Sequence, residues 1–395
     1  MSTNHRPNSF HMMIKPRGAI CNLDCSYCYF LKKEALYPSS NFRMSDEVLE
    51  NFTRQYIRSQ RVPLVTFGWQ GGEPTLMGIE FFQKAVQFQK KYAPPGMKIE
   101  NALQTNATLL NDEWCQFFKE HQFLIGVSLD GPREVHDYYR KNKGGEGSFD
   151  SVIQGLEKLK EFDVEFNILC AVNVANATKP LKIYRFFRDV VEADFVQFIP
   201  IVERVNKQGE QRGNRVTDRS ITGKQYGEFL IAIFDEWVAR DVGKVFVQIF
   251  DVALGKWLGQ PGGLCIFDQT CGKALAIEHN GDLYSCDHYV EPRYRLGNIA
   301  TSEMIQLVSS SKQHNFGMDK QKTLPKYCMD CEVLFVCNGG CPKNRIKHTL
   351  EGEFGLNYLC EGYRKFFNHI DQPMRRMADL IRNHRSPSEI MRQTS

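Results

Sequence analysis

Short apolar runs alternate with longer amphipathic stretches through the first half of the chain. Phe10–Lys15 is an apolar segment of strand length. A helical period follows over 46–60, with Ser45 as a candidate N-cap and Asp46 and Glu47 in the first turn. Residues Leu64–Trp69, 98–105, Phe123–Asp130, Glu165–Val172 and Phe195–Ile201 read as further strands. Helical patterns fill the intervals at 79–92, 111–121, 149–162 and 179–192. Six strands alternating with helices predict an α/β fold, with a parallel sheet and helices outside it. The pattern alone does not separate an open sheet from a closed barrel.

The alternation stops at 203–222, a polar, non-periodic stretch that reads as a linker or mobile loop. A helix is predicted at 224–240, and the apolar segment 244–258 is expected to pack on the strand–helix unit. Residues 265–360 are rich in cysteine, and a charged helical tail covers about 363–384. No internal repeat or low-complexity tract is present.

Composition narrows the classes. With 395 residues, 42% of them apolar, the chain can bury a full core and holds two domains or one with an extension. Net charge is +4, from 50 basic and 46 acidic residues, which gives no bulk ground for nucleic-acid or membrane binding. There is no membrane-spanning apolar run, and MSTNHRPNSFHMMIKPRG at the N-terminus lacks a signal-like segment. Thirteen cysteines at short spacings favour metal over disulfides, and a reducing cytoplasm suits such thiolates.

The first chemistry lies in Cys21-Asn22-Leu23-Asp24-Cys25-Ser26-Tyr27-Cys28, spaced C-x3-C-x2-C. Three thiolates can hold three irons of a 4Fe–4S cluster, leaving the fourth iron open to another ligand. Zinc is the alternative, but no nearby His or fourth Cys completes a tetrahedron. Other candidate residues follow strand ends: Gln70-Gly71-Gly72-Glu73-Pro74, Thr105-Asn106, and Ser128 with Asp130. That is the face where parallel α/β folds place their sites. In the C-terminal half, Cys265, Cys271, Cys286, Cys328, Cys331, Cys337, Cys341 and Cys360 make eight thiols. They would satisfy two zinc sites or two 4Fe–4S clusters. Cys115 and Cys170 are left over and read as buried small hydrophobes.

The cysteine loop resembles the radical S-adenosylmethionine (SAM) superfamily, with Tyr27 as the aromatic before the last cysteine. Gly71-Gly72-Glu73-Pro74 is similar to the family's GGEP motif. The later cysteines resemble the SPASM extension, with Gly281 five residues before Cys286. Across Met12 to about Tyr363 the chain resembles the anaerobic sulfatase-maturating enzymes, notably in 69–76, 103–106, 164–169, 295–299 and 337–342. Tyr29-Phe30 departs from the Phe-Tyr order common in relatives.

The resemblance implies a partial (β/α)6 radical SAM barrel followed by a SPASM domain with two auxiliary iron–sulfur sites. The corresponding division is 1–222 barrel, 223–264 connecting helical segment, 265–362 SPASM domain and 363–395 helix and tail. It implies three 4Fe–4S clusters and SAM. One auxiliary cluster would use Cys265, Cys271, Cys286 and Cys341, and the other Cys328, Cys331, Cys337 and Cys360. SAM would meet Tyr27, Gln70, Gly72, Glu73, Ser128, Arg140 and Val202, with Glu73 accepting from the ammonium and Arg140 pairing the carboxylate.

The implied reaction oxidises a serine or cysteine in a sulfatase to 3-oxoalanine (Cα-formylglycine) after hydrogen abstraction by a 5′-deoxyadenosyl radical. Asp287 would be the base, its pKa raised by burial, and His288 a structural neighbour. The partners implied are an unfolded or nascent sulfatase polypeptide carrying Ser/Cys-x-Pro/Ala-x-Arg and an electron donor such as flavodoxin or ferredoxin. Two other readings remain: a SPASM enzyme that crosslinks a different peptide, and a zinc-binding adaptor.

Overall fold

In a computed structural model describing residues 6–206, 210 and 212–393, ten strands form one sheet. Six of them are β1 (His11–Lys15), β2 (Leu64–Trp69), β3 (Lys98–Thr105), β4 (Phe123–Ser128), β5 (Phe166–Val172) and β6 (Phe195–Pro200). Each runs parallel to the next. The sheet does not close. β6 pairs with the two-residue β7 (Phe246–Val247), and the free side of β1 takes β8 (Ala274–Glu278) in parallel. β9 (Asp282–Tyr284) and β10 (Arg295–Asn298) extend the β8 edge antiparallel. The cysteine-rich region is therefore hydrogen-bonded to the barrel through β1 and β8, His11 opposite Ala274 and Lys15 opposite Glu278. β11 (Arg345–His348) and β12 (Phe354–Asn357) form a separate hairpin.

Strand side chains such as Ile14, Phe67, Leu103, Ile125, Val127 and Ile168 are fully enclosed. Burying each contributes roughly 1.5–3 kcal/mol. Trp69 is equally buried, and its indole N–H donates to Asn101 Oδ1 at 2.8 Å, so the polar edge is satisfied. Ser45 accepts from the Val48 N–H and caps the helix Asp46–Ser59, as its place in the sequence predicts. No helix among the described residues is long and apolar enough to cross a membrane.

Three stretches before the tail helix differ from the sequence expectation. The segment 179–192 is an α-helix (Pro180–Arg185) that widens into a π-turn (Phe186–Val190). Arg185 and Arg188, on either side of that junction, both pair with Glu236. The apolar run 244–258 first adds β7 to the sheet and only then becomes a helix, Gln248–Trp257. The polar stretch 203–222 is tied at both ends by an Arg204–Val216 bridge and by Glu203, which accepts from Lys32 at 3.1 Å and Arg219 at 2.9 Å. Its residues 207–209 and 211 lie outside the described residues, as do the first five of the N-terminal stretch.

The tail helix starts earlier than expected, at Cys360, and runs to Arg382. It crosses the helix Gly223–Arg240 through Gly223, Gly227 and Gly362. A Cβ on Gly227 would meet Gly362 Cα at 2.7 Å, so the crossing requires glycine on both helices.

Candidate active site

The cysteine loop leaves the C-terminal end of β1. Its backbone is clamped by the next strand's loop, because the Glu73 N–H donates to Ile20 O at 2.9 Å. Gly72 sits at φ +52°, and a Cβ there would strike the Ile20 and Gly18 carbonyls. Cys28 N–H donates to Cys25 O at 2.9 Å, which folds the three thiols toward one another. Each thiol lies close enough to another to act on it electrostatically. Burial pushes Cys21 up to about 11 and Cys25 to about 12, and raises Cys28 as well. Thiols gathered this way become thiolates when a metal binds them. Asn106 Nδ2 adds a donor to Cys21 Sγ at 3.7 Å and is itself oriented by Asn22 Oδ1 at 2.8 Å.

Residues of four strand ends surround this loop. Tyr27 donates its hydroxyl to Asp130 Oδ2 at 2.5 Å, and Arg140 Nε lies 3.1 Å from Asp130 Oδ1. The Arg140 guanidinium sits 5.5 Å from the Tyr27 ring centroid. Arg140 is only 7% exposed, so it is not a solvated surface charge. Ser128 accepts from Gln104 Nε2 at 3.0 Å, and the Gln70 N–H donates to Ile14 O at 2.9 Å. Val202 is buried just past β6.

Glu73 Oε1 accepts from Thr75 N, Thr75 Oγ1 and Thr105 Oγ1 at 2.8–3.0 Å, and Oε2 from Asn106 N at 2.8 Å. Burial pushes its carboxyl up, and these four donors pull it back part of the way. The side chain is thus turned into the protein, where it fixes the Thr105-Asn106 loop.

Asp287 lies across the same end of the sheet. Lys15, the last residue of β1, pairs with its Oδ1, and the Tyr29 hydroxyl donates to Oδ2 at 2.8 Å. Lys15 reaches it along a path opened by Gly71, at φ +89°, where any Cβ would collide with the Lys15 stem. The expected upward shift is not observed. Burial does push the Asp287 carboxyl up, but the Lys15 ammonium and the Tyr29 hydroxyl work against it, and it is held down at about 2. Asp287 is a carboxylate. Burial and Lys343 hold the neighbouring His288 at about 3, so its imidazole is neutral.

Lys15 and Tyr29 were not legible as site residues, although each left a trace. Lys15 is a charge at the end of an otherwise apolar strand and is 1% exposed. Tyr29 is the residue that breaks the usual aromatic order after the loop.

The eight C-terminal thiols gather in two groups. Cys265, Cys271 and Cys286 each interact with Cys341. Cys337 and Cys360 each interact with Cys328 and Cys331, and these four line one cavity. Burial pushes Cys265 to about 11, and Cys271, Cys337 and Cys360 to about 12. No set of three or more His, Cys, Asp or Glu side chains among the described residues is arranged around a single ion. Four thiols in each group match the ligand count of a 4Fe–4S cluster. Cys115 and Cys170 are fully buried, away from either group's interactions.

Residues 16–187 match the radical SAM superfamily, and 265–332 an iron–sulfur cluster-binding domain of the SPASM type. Over 392 residues the sequence is 48% identical to a serine-type anaerobic sulfatase-maturating enzyme of Bacteroides thetaiotaomicron, covering 97% of this chain and 94% of that one. The chain belongs to the anaerobic sulfatase-maturating enzymes. A cysteine-type maturase of Clostridium perfringens is 34% identical over 94% of this chain and 99% of the relative. A solved maturase structure described as native anSMEcpe with bound AdoMet and Cp18Cys peptide superposes with a TM-score of 0.84. It is 34% identical and covers 94% of this chain and 99% of that one. This maturase is therefore a radical SAM enzyme with iron–sulfur clusters that acts on a peptide. Among the described residues, the thiol groups fit those clusters in number and grouping.

Proposed function

We propose that this maturase oxidises a serine of a sulfatase polypeptide to Cα-formylglycine, using Asp287 as the base. The observation that carries this reading is the Asp287 carboxylate, held by Lys15 and Tyr29 on the same strand-end face as the cysteine loop. Serine is favoured over cysteine because the serine-type relative is 48% identical and the cysteine-type 34%.

Cys21, Cys25 and Cys28 would hold the SAM cluster. Cys265, Cys271, Cys286 and Cys341 would hold one auxiliary cluster, and Cys328, Cys331, Cys337 and Cys360 the other. When bound, these groups supply a hydrogen-abstracting 5′-deoxyadenosyl radical and an electron acceptor. The chain's own residues do the rest. Gly72, Gln70 and Ser128 line the approach to the cysteine loop, with Tyr27 and Val202 providing apolar surface. Arg140, buried against Asp130, presents a guanidinium suited to a carboxylate. Glu73 holds the Asn106 loop that donates to Cys21. Asp287 takes the substrate hydroxyl proton on a carboxylate oxygen. A carboxyl held at about 2 is a weak base toward an ordinary alcohol. It becomes competent once loss of the β-hydrogen acidifies that hydroxyl. Lys15 and Tyr29 keep the carboxylate ionised and aimed until then.

The polypeptide is proposed to enter as an extended, unfolded segment between barrel and C-terminal region. The electron donor is proposed to be a small redox protein of the flavodoxin or ferredoxin kind. The test pairs a serine and a cysteine version of one sulfatase peptide with the anaerobically reconstituted enzyme, SAM and reductant. Mass spectrometry should show loss of two hydrogens from the serine peptide and a trappable aldehyde. A product lacking a free aldehyde would favour crosslinking, and turnover of cysteine alone would reverse the substrate preference.

A further inference from the structure

Cys337-Asn338-Gly339-Gly340-Cys341 passes directly from one C-terminal thiol group to the other. Arg345, the first residue of β11, is folded back onto this bridge and is 6% exposed. Its Nε donates to Gly339 O at 3.1 Å and its Nη2 to Asn338 O at 3.0 Å. Nη1 donates to Lys320 O at 2.5 Å. Gly339 makes room for it: at φ +68° a Cβ would meet Arg345 Nη2 at 2.7 Å. The guanidinium acts on Cys328 and Cys337 in one group and on Cys271 and Cys341 in the other. No carboxylate among the described residues pairs with it; its hydrogen bonds run to three carbonyls and the Thr323 hydroxyl.

A buried cation needs a counter-charge. With no carboxylate paired to it among the described residues, the counter-charge falls to the thiolates that both groups would carry once their clusters are bound. We infer that Arg345 is a charge-setting and positioning residue shared by the two auxiliary cluster sites, biasing both toward accepting an electron. The inference rests on the reading of these eight cysteines as two cluster sites.

The physical reason is direct. Reduction adds one negative charge to a site that four thiolates already make anionic, and a fixed cation stabilises the reduced form more than the oxidised one. The enclosed position strengthens that effect, because little water screens it. Lys320 offers a contrast. It is also buried, donating to the Cys265 carbonyl at 2.7 Å and the Ile266 carbonyl at 2.9 Å, and the thiols its charge chiefly acts on, Cys271, Cys341 and Cys265, all belong to one group. Arg345, in contrast to Lys320, acts chiefly on thiols of both groups.

The test is an EPR-monitored reductive titration of the full chain, reconstituted as wild type, Arg345→Gln and Arg345→Lys, with iron and sulfide counted in each. In Arg345→Gln both auxiliary midpoint potentials should fall while the cysteine-loop cluster keeps its own. Arg345→Lys should hold both near the wild-type values. If Arg345→Gln loses auxiliary iron, retention of iron and potentials by Arg345→Lys supports the charge role. Equal iron loss in both variants assigns Arg345 to bracing alone and overturns it. Unchanged potentials in loaded Arg345→Gln, or a shift in one auxiliary cluster only, overturn it too. A wild type without auxiliary signals would instead refute the cluster-ligand reading, an outcome distinct from any of these.

Discussion

The two thiol-bearing regions are built by opposite means. The barrel loop takes Cys21, Cys25 and Cys28 from eight consecutive residues, clamped by one glycine-bearing loop on the neighbouring strand. The C-terminal region assembles each group from distant segments, so that Cys286 meets Cys341 and Cys328 meets Cys360. Its precision comes from tertiary contacts: the Gly227–Gly362 helix crossing beside Cys360, and Arg345 on the bridge between groups. A local loop can leave a position open for a cofactor. Groups of four built across the fold are closed, as electron-carrying sites are. Damage to the first should therefore stop chemistry, and damage to the second should first loosen structure.

Cys25→Ala gives the largest expected effect. SAM cleavage and peptide oxidation should both drop to background while auxiliary iron stays bound, read by iron content and product assays on one sample. Gly362→Ala attacks the other region. Its Cβ would strike the Gly223 carbonyl, costing about 3 kcal/mol. Thermal unfolding should come earlier, with iron lost from the Cys360 group before the cysteine loop.

Glu73→Gln tests whether the buried carboxylate braces the barrel site. A glutamine turned toward Asn106 sets donor against donor, so about 2 kcal/mol of stability should be lost. Denaturant melts measure this.

The smallest effect on activity lies in the helix Gln248–Trp257, which packs on β6 and on helices beside the second group. Burial alone pushes its Asp251 carboxyl up from 3.8 to about 7. A raised value favours the folded state when protonated, so this contribution is full below about pH 4 and is lost as pH rises through 7. Asp251→Asn should therefore stabilise the protein at pH 8, by at most about 4 kcal/mol, and leave it unchanged at pH 4, read by denaturant melts at both values.

Much of the fold was legible because each barrel element carries its own signal. The apolar run Leu64–Trp69 and the helix 79–92 match the structure residue for residue. The earlier start of the tail helix at Cys360 was hidden, because a cluster-type cysteine and two glycine contacts mask helical periodicity there. The addition of β8 to β1 was hidden as well, since hydrogen-bonding between segments more than 250 residues apart leaves no periodic trace. At the site, the cysteines and strand-end motifs were visible as residue types at set spacings. The direction of the Asp287 shift was not, because it depends on Lys15, which Gly71 admits from another strand. The bracing role of Glu73 was hidden for a similar reason: its partners Thr105 and Asn106 lie on the next strand's loop.

The most direct measurement is peptide oxidation by Asp287→Asn, with 5′-deoxyadenosine counted in the same reaction. The account predicts full iron content and continued deoxyadenosine formation, with aldehyde reduced about 10²- to 10⁴-fold, the usual contribution of a general base. Aldehyde formation at the wild-type rate would contradict it and remove Asp287 from the chemistry.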